Sequence, residues 1–310
     1  MKRILVVSYS QTGQLTRILH NVLAPMAAGD DFELVIEALV PRKPYPFPWT
    51  ALEFTDAFAE SVQEIPCPLE PFGFDPEATY DAVIVAYTVW YLSPSIPINA
   101  FLQSPQAARV MRDTPVITLI GCRNMWLLAH EKVKARIVRN QGTPAANIVL
   151  MDRAANLPGV VSIAYWMLTG RKERFLGLFP RPGIAESDIA AARRFGPVLM
   201  NAVKTNTYDG LQDRLNRIGA VTVVPAYILF EQRIHKIFNV WSRFIRRKGG
   251  PGDPARKPRL RLFRGYLLTA VFLLAPAATL VAVVLERLNR DKIKALVDHF
   301  AGNHPDPDKC

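Results

Sequence analysis

The sequence predicts an α/β domain built on a doubly wound, five-stranded parallel sheet, and two observations carry that expectation. Five short apolar runs of the buried-strand type recur at residues 3–9, 32–39, 81–87, 115–121 and 147–152. Amphipathic helical stretches stand between them, and strands alternating with helices imply right-handed βαβ crossovers with both sheet faces covered. No internal repeat interrupts the pattern.

The elements follow in order. RILVVSY (3–9) is rich in β-branched residues and reads as a buried strand. Leu15, Ile18, Leu19, Val22 and Leu23 give helical spacing over 13–27. After the second strand, residues 41–74 are rich in proline and aromatics (PRKPYPFPWT, IPCPLEPF), with a helix expected over 51–62. Prolines at that density do not sit in central strands, so residues 41–80 are expected as a surface insertion of the kind that serves as a lid or binding loop. Helices at 96–110 and 123–141 separate the last three strands, and a closing helix is expected at 186–207, with Glu186, Ser187 and Asp188 in its first turn. Five such strands suit the flavodoxin-like order 2-1-3-4-5, whose ligand sits beyond the carboxyl ends of the strands near the β1/β3 switch. The expected domain spans residues 1–210.

Charge and cysteines exclude several classes. The chain of 310 residues carries a net charge of +11, and residues 243–264 hold nine Lys/Arg against Asp253, leaving +3 on the rest. No basic stripe with interleaved aromatics remains, so nucleic acid is excluded as a partner. Cys67, Cys122 and Cys310 form no CxxC pair and no His cluster accompanies them, which predicts free thiols and no metal site. No secretory signal is visible at the N-terminus.

Residues 158–170 and 218–230 are apolar but too short to span a bilayer, and core elements are the first reading of each. Residues 265–285 hold no charge over 21 positions, about 31 Å of helix. A transmembrane helix is therefore expected there, behind an apolar then basic juxtamembrane segment at 211–264 and ahead of a short polar tail at 286–310. The basic flank predicts a single pass through the bacterial inner membrane, with the large N-terminal part in the cytoplasm and membrane lipids as partners.

Three loops suit a cofactor. Ser10-Gln11-Thr12-Gly13-Gln14-Leu15-Thr16 follows the first strand directly. A hydroxyl-rich turn opening into a helix supplies backbone N–H groups, hydroxyls and a positive helix end to a phosphate monoester, and Gly13 permits close approach. An ordinary N-cap turn favours Ser and Thr as well. The third strand ends in Tyr87-Thr88-Val89-Trp90-Tyr91, where Tyr87, Trp90 and Tyr91 offer flat faces to an isoalloxazine ring. The fourth ends in Gly121-Cys122-Arg123-Asn124-Met125-Trp126: Asn124 is placed to address the pyrimidine edge, and Arg123 to stabilise negative charge on a reduced flavin. Together the loops predict FMN.

SYSQTGQLT resembles the phosphate loop of flavodoxin-like proteins, with Leu15 where many flavodoxins carry Thr and Thr16 one position on. KPYPFPWT, WYLSPSIPINAFLQSP and GCRNMWLLAHEKV resemble a narrower family over about residues 2–205. These are the flavodoxin-like dialkylresorcinol condensing enzymes of dialkylresorcinol and aryl polyene biosynthesis. The resemblance implies flavin chemistry on a lipophilic alkyl cyclohexanedione that becomes a resorcinol, beside a ketosynthase-type partner that builds the ring. A condensing role needs an activated Cys or Ser beside a base; Cys122 has no fixed His companion in the sequence, and His130 lies about two turns downstream. An oxidative aromatase suits a flavin better, with Tyr87, Tyr91, Arg123 and His130 as candidate catalytic residues. A homodimer is also compatible with this reading.

Other readings share the same loops. One is a membrane-bound NAD(P)H or quinone reductase. Another is a flavodoxin-type electron carrier, although residues 1–242 show no acidic excess for steering. A third is a flavinless scaffold that recruits pathway enzymes.

Overall fold

Successive side chains of β1 (Lys2–Ser8) serve two different cores. Ile4 and Val6 pack on one side of the sheet, Leu5 and Val7 on the other. A central strand buried on both faces must be apolar at consecutive positions, which is how the run ILVV reads. The computed structural model describes residues 1–274 and 290–303. In it β1 pairs in parallel with β2 (Phe32–Ala38) and β3 (Ala82–Trp90). On the far side β3 pairs with β5 (Pro115–Cys122), and β5 with β6 (Thr143–Met151).

The order of the parallel strands is β2-β1-β3-β5-β6, and β4 (Ser93–Pro94) pairs antiparallel with the end of β3. The expected five-stranded sheet is thus corrected to six strands. The reason is local. β3 runs on to Trp90 and folds back through Tyr91 and Leu92, both with positive φ (49° and 63°), the backbone of a two-residue hairpin turn. Ser93-Pro94-Ser95 reads as a loop because proline is poor in strands. It is tolerated here because β4 pairs with β3 alone.

Helices α1 (Gln14–Ala27), α8 (Glu186–Ala191), α9 (Gly196–Thr205) and α10 (Leu211–Arg217) cover one face, burying Leu15, Ile18, Ile189, Leu199 and Leu211. On the other lie α4 (Ile96–Leu102), α5 (Pro105–Met111) and α6 (Leu127–Arg139), with Ile98, Phe101, Ala107 and Val133 inward. Gln212 pairs its side-chain amide with both backbone groups of Asn147 (2.6 and 3.1 Å), so α10 closes the β6 edge.

The C-terminal part builds a third core. α11 (Pro225–Arg246) and α12 (Lys257–Thr269) pack on α2 (Ala51–Asp56) and α3 (Phe58–Val62). Phe58 stacks on Phe263 at 3.9 Å and meets Phe238 edge-on at 5.0 Å. Fully buried Arg256 donates two hydrogen bonds to Glu60, at 3.1 and 2.9 Å. A final helix, α13 (Arg290–Gly302), docks against α10 and α11.

This packing corrects the membrane expectation. Among the described residues no helix is long and apolar enough to cross a membrane, which overturns the single-pass span and the inner-membrane location built on it. Residues 275–285 of the expected span lie outside the described residues. Its first residues, from Gly265, belong instead to a helix that starts at Lys257 and buries Leu260 and Phe263 in the third core. Two cations of the basic segment are engaged as well: Arg256 is held by Glu60, and Arg259 bonds to the Phe244 carbonyl.

Candidate functional site

The carboxyl end of β1 passes through Tyr9 and the Ser10–Gly13 turn into α1. Gly13 is the N-cap at φ +74°, and no side chain caps the helix. A Cβ at Gly13 would find no atom within 4 Å, so the turn faces open space. The first amides of α1 are loosely engaged: Gln14 N–H reaches Thr12 Oγ1 at 3.5 Å and Thr16 N–H reaches Ser10 Oγ at 3.4 Å. Such long contacts leave the donors available, and the first turn carries no acid to oppose an anion. Thr88 Oγ1, on the β3 residue opposite Gly121, is buried without a partner among the described residues. Open space at a positive-φ glycine, an uncapped helix end and an orphaned hydroxyl fit a phosphate monoester.

The two glutamines of this turn act as struts. Gln11 donates to Pro46 O at 2.6 Å and accepts from Trp49 Nε1 at 3.1 Å. Gln14 pairs with both backbone groups of Ile184, at 3.2 and 3.1 Å. Leu15 is a core side chain, so it offers a ligand only its backbone.

Residues 45–50 form a lid of aromatics. Trp49 N–H bonds to Met167 O at 2.8 Å, tying the lid to α7 (Asn156–Thr169). Tyr9, Tyr45 and Trp49 meet Trp90 edge-on, with centroids 6.0, 5.0 and 5.6 Å away. Phe47 meets Trp166 of α7 in the same way at 6.0 Å. Trp90 is thereby fixed at the end of β3, and Val89 behind it pairs with Pro94. A cavity of about 570 Å³ opens beyond this cluster, with Leu69, Phe72, Phe74, Ala100 and Cys67 among its walls.

The loop after β5 is held by α7. Arg123 donates to the carbonyls of Ala155 (3.3 Å) and Asn156 (2.7 Å), and Asn124 donates to Asn156 Oδ1 at 3.3 Å. Gly159 makes room for the guanidinium, since a Cβ there would lie 2.5 Å from an Arg123 nitrogen. Arg123 Nε is buried without a partner among the described residues.

The remaining expected residues lie elsewhere. Tyr87, His130 and Trp126 are buried in the core under α6. Tyr87 Oη and His130 Nδ1 are 3.3 Å apart, and His130 Nε2 is 2.7 Å from Asn303 Oδ1. An amide oxygen only accepts, so Nε2 carries the proton and Nδ1 accepts from Tyr87. Burial pushes the imidazole down to about 3 and the Tyr87 phenol well up. Tyr91 is among Phe54, Phe58 and Phe238, its hydroxyl donating to Phe54 O at 2.8 Å. Cys122 is buried, and burial, then the charge of Glu231, push its thiol up.

The structure therefore joins the Ser10–Gln14 turn, through Gln11, and Trp90 to the lid, and holds Arg123 and Asn124 against α7. Tyr45, Phe47, Trp49 and Trp166 were not singled out from sequence. Tyr45, Phe47 and Trp49 were marked there only by the aromatic density of the proline-rich insertion and by the KPYPFPWT resemblance, and Trp166 by the apolar run 158–170.

No protein-family model and no curated protein matches the chain. Among solved structures, a flavoprotein from Lactobacillus acidophilus NCFM in complex with FMN is 16% identical, with 46% of this chain and 87% of that one covered at a TM-score of 0.35. A flavodoxin from the domain Archaea is 13% identical, with 65% and 99% covered at 0.32. Similarity this distant carries no weight on what this chain binds.

Proposed function

We propose that the chain binds FMN at the amino end of α1 and works as a flavin-dependent oxidoreductase. The observation that carries this is the uncapped helix end with Gly13 open before it, joined through Gln11 to an aromatic lid. The phosphate would be held by the backbone of Thr12–Leu15 and the hydroxyls of Ser10, Thr12 and Thr88. Trp90 and the lid aromatics would bound the ring and exclude water from it. Arg123 and Asn124 would face its pyrimidine edge. Bound FMN supplies a two-electron acceptor.

The narrower reading is oxidative aromatisation of an alkylated cyclohexane-1,3-dione to a resorcinol, next to a ketosynthase-type enzyme that closes the ring. It is supported by the sequence resemblance and by a lid suited to a flat ring. Arg123 would place a fixed positive charge on the loop. It is the one expected catalytic side chain held on a strand-end loop by α7; Tyr87 and His130 lie in the core and Tyr91 is bound to Phe54.

The test is to purify the protein, record its flavin spectrum and mix it anaerobically with an alkyl cyclohexanedione. Stoichiometric bleaching with resorcinol formation supports the narrow reading. A flavin that responds only to NAD(P)H or a quinone supports a reductase, and protein that takes up no flavin sinks the whole proposal.

A further inference from the structure

We infer that Glu231, on α11, is a positioning residue for the 121–126 loop, which makes the C-terminal helices a working part of the FMN site. The inference rests on the FMN reading above. Helix α6 starts directly after that loop, its N-cap residue Trp126 makes no side-chain cap, and its first turn contains no acid. The first amides of a buried helix need partners. Glu231 supplies them from more than a hundred residues away, accepting from Leu127 N–H at 3.2 Å and Leu128 N–H at 2.8 Å. The residue is fully buried.

Glu231 also adds its charge to burial in pushing up the thiol of Cys122, the last residue of β5. The loop is thus held from two elements: Asn156 of α7 grips Arg123 and Asn124, and Glu231 of α11 grips the start of α6. A carboxylate at a helix amino end also cancels part of its positive potential. Any electron-rich ring held on the same loop would be stabilised less than at an unopposed helix end.

A cap that merely stabilised α6 would alter stability alone. The positioning role predicts more. At about pH 8.5, where the wild-type carboxyl is ionised, the FMN dissociation constant of full-length E231Q should be about tenfold above that of the wild type. The two-electron midpoint potential should rise by ~30 mV, a tenfold change in relative affinity for the reduced form. Hydrogen exchange on the FMN-free protein supplies an arm independent of the cofactor. Leu127 and Leu128 amides should be protected like the middle of α6 in the wild type and exchange faster in E231Q, with α1 unchanged. Folded E231Q with wild-type affinity and potential overturns the inference. Should E231Q not fold, rapid exchange at Leu127 and Leu128 in the wild type, or slow exchange that FMN leaves unchanged, overturns it, and slow exchange that slows further when FMN binds supports it. Wild-type protein that takes up no FMN overturns the cofactor reading alone, and the exchange arm still decides the cap.

Discussion

Trp49 donates its indole N–H to Gln11 Oε1 at 3.1 Å, so the lid and the proposed phosphate loop share one hydrogen-bonded joint. Gln11 completes it by donating to Pro46 O at 2.6 Å. Helix α1 and residues 45–50 cannot move apart without leaving these groups unpaired. Gln11→Ala breaks both bonds while leaving the turn backbone unchanged. At about 1 kcal/mol per bond, the two bonds are worth ~2 kcal/mol, so the melting temperature should fall by a few degrees and FMN affinity should fall by up to roughly thirtyfold in a fluorescence titration. Unaltered affinity would separate lid from cofactor.

Gly13→Val tests the turn itself. No protein atom lies within 4 Å of the new Cβ, so the fold loses only the cost of a positive φ in a β-branched residue, about 1–2 kcal/mol. The valine would occupy the space in front of the helix end. Denaturant unfolding should show that modest loss, while FMN binding drops by far more. Equal losses in both measurements would mean that the turn holds no phosphate.

Arg256 and Glu60 form a buried ion pair that fastens the C-terminal helices to α3. Arg256→Met leaves buried Glu60 with only the half-exposed Arg246, 3.9 Å away, as a cationic partner, which should cost about 3 kcal/mol. The double variant Arg256→Met/Glu60→Leu should regain most of that loss. Urea melts of these three proteins decide the matter, and an Arg256→Met variant as stable as the wild type would remove the pair as a fastening.

Glu231 and His130 should pull stability in opposite directions with pH. Burial holds Glu231 up at about 7, so the fold favours its protonated form; stability falls as pH rises from the unfolded value near ~4.3 to the folded one, and stays lowered above it. Burial holds His130 down at about 3, so the fold favours neutral imidazole; stability falls as pH drops below ~6.5. Between about pH 4.5 and 6.5 the two slopes, ~1.4 kcal/mol per unit each, oppose one another. E231Q should therefore expose a loss of stability towards acid, and His130→Phe a loss towards neutral pH. Chemical denaturation across that range measures both, and identical pH profiles in the two variants would contradict the assignments.

Much of the fold was legible in local pattern. ILVV and IVAY announce strands buried on both faces, and Leu15, Ile18, Leu19 and Val22 announce the face of α1. Those signals depend only on backbone periods of two and 3.6 residues, which neighbouring residues carry by themselves. The Ser10–Thr16 turn was legible for the same reason, because a glycine between hydroxyl residues after a strand is a local statement. Partnership was not local. Tyr87, Trp90 and Tyr91 sit within five positions of one another, yet the structure sends Tyr87 to His130, Trp90 to the lid and Tyr91 to Phe54. Strand alternation and the hairpin turn after Trp90 divide them. Residues 265–274 were equally ambiguous, because an apolar stretch reads alike whether lipid or protein covers it. Only the chain's return onto Phe58 and Glu60 showed that the helix beginning at Lys257 buries Leu260 and Phe263 in protein, while Leu268, Phe272 and Leu273 stay exposed. The sequence by itself determined the five parallel strands and the helix that follows the first of them, but not the short β4, and it marked the turn after β1 as the place proposed for a phosphate. The tertiary structure alone decided which side chains reach that place, because a side chain's neighbours are set by contacts between residues far apart in the chain.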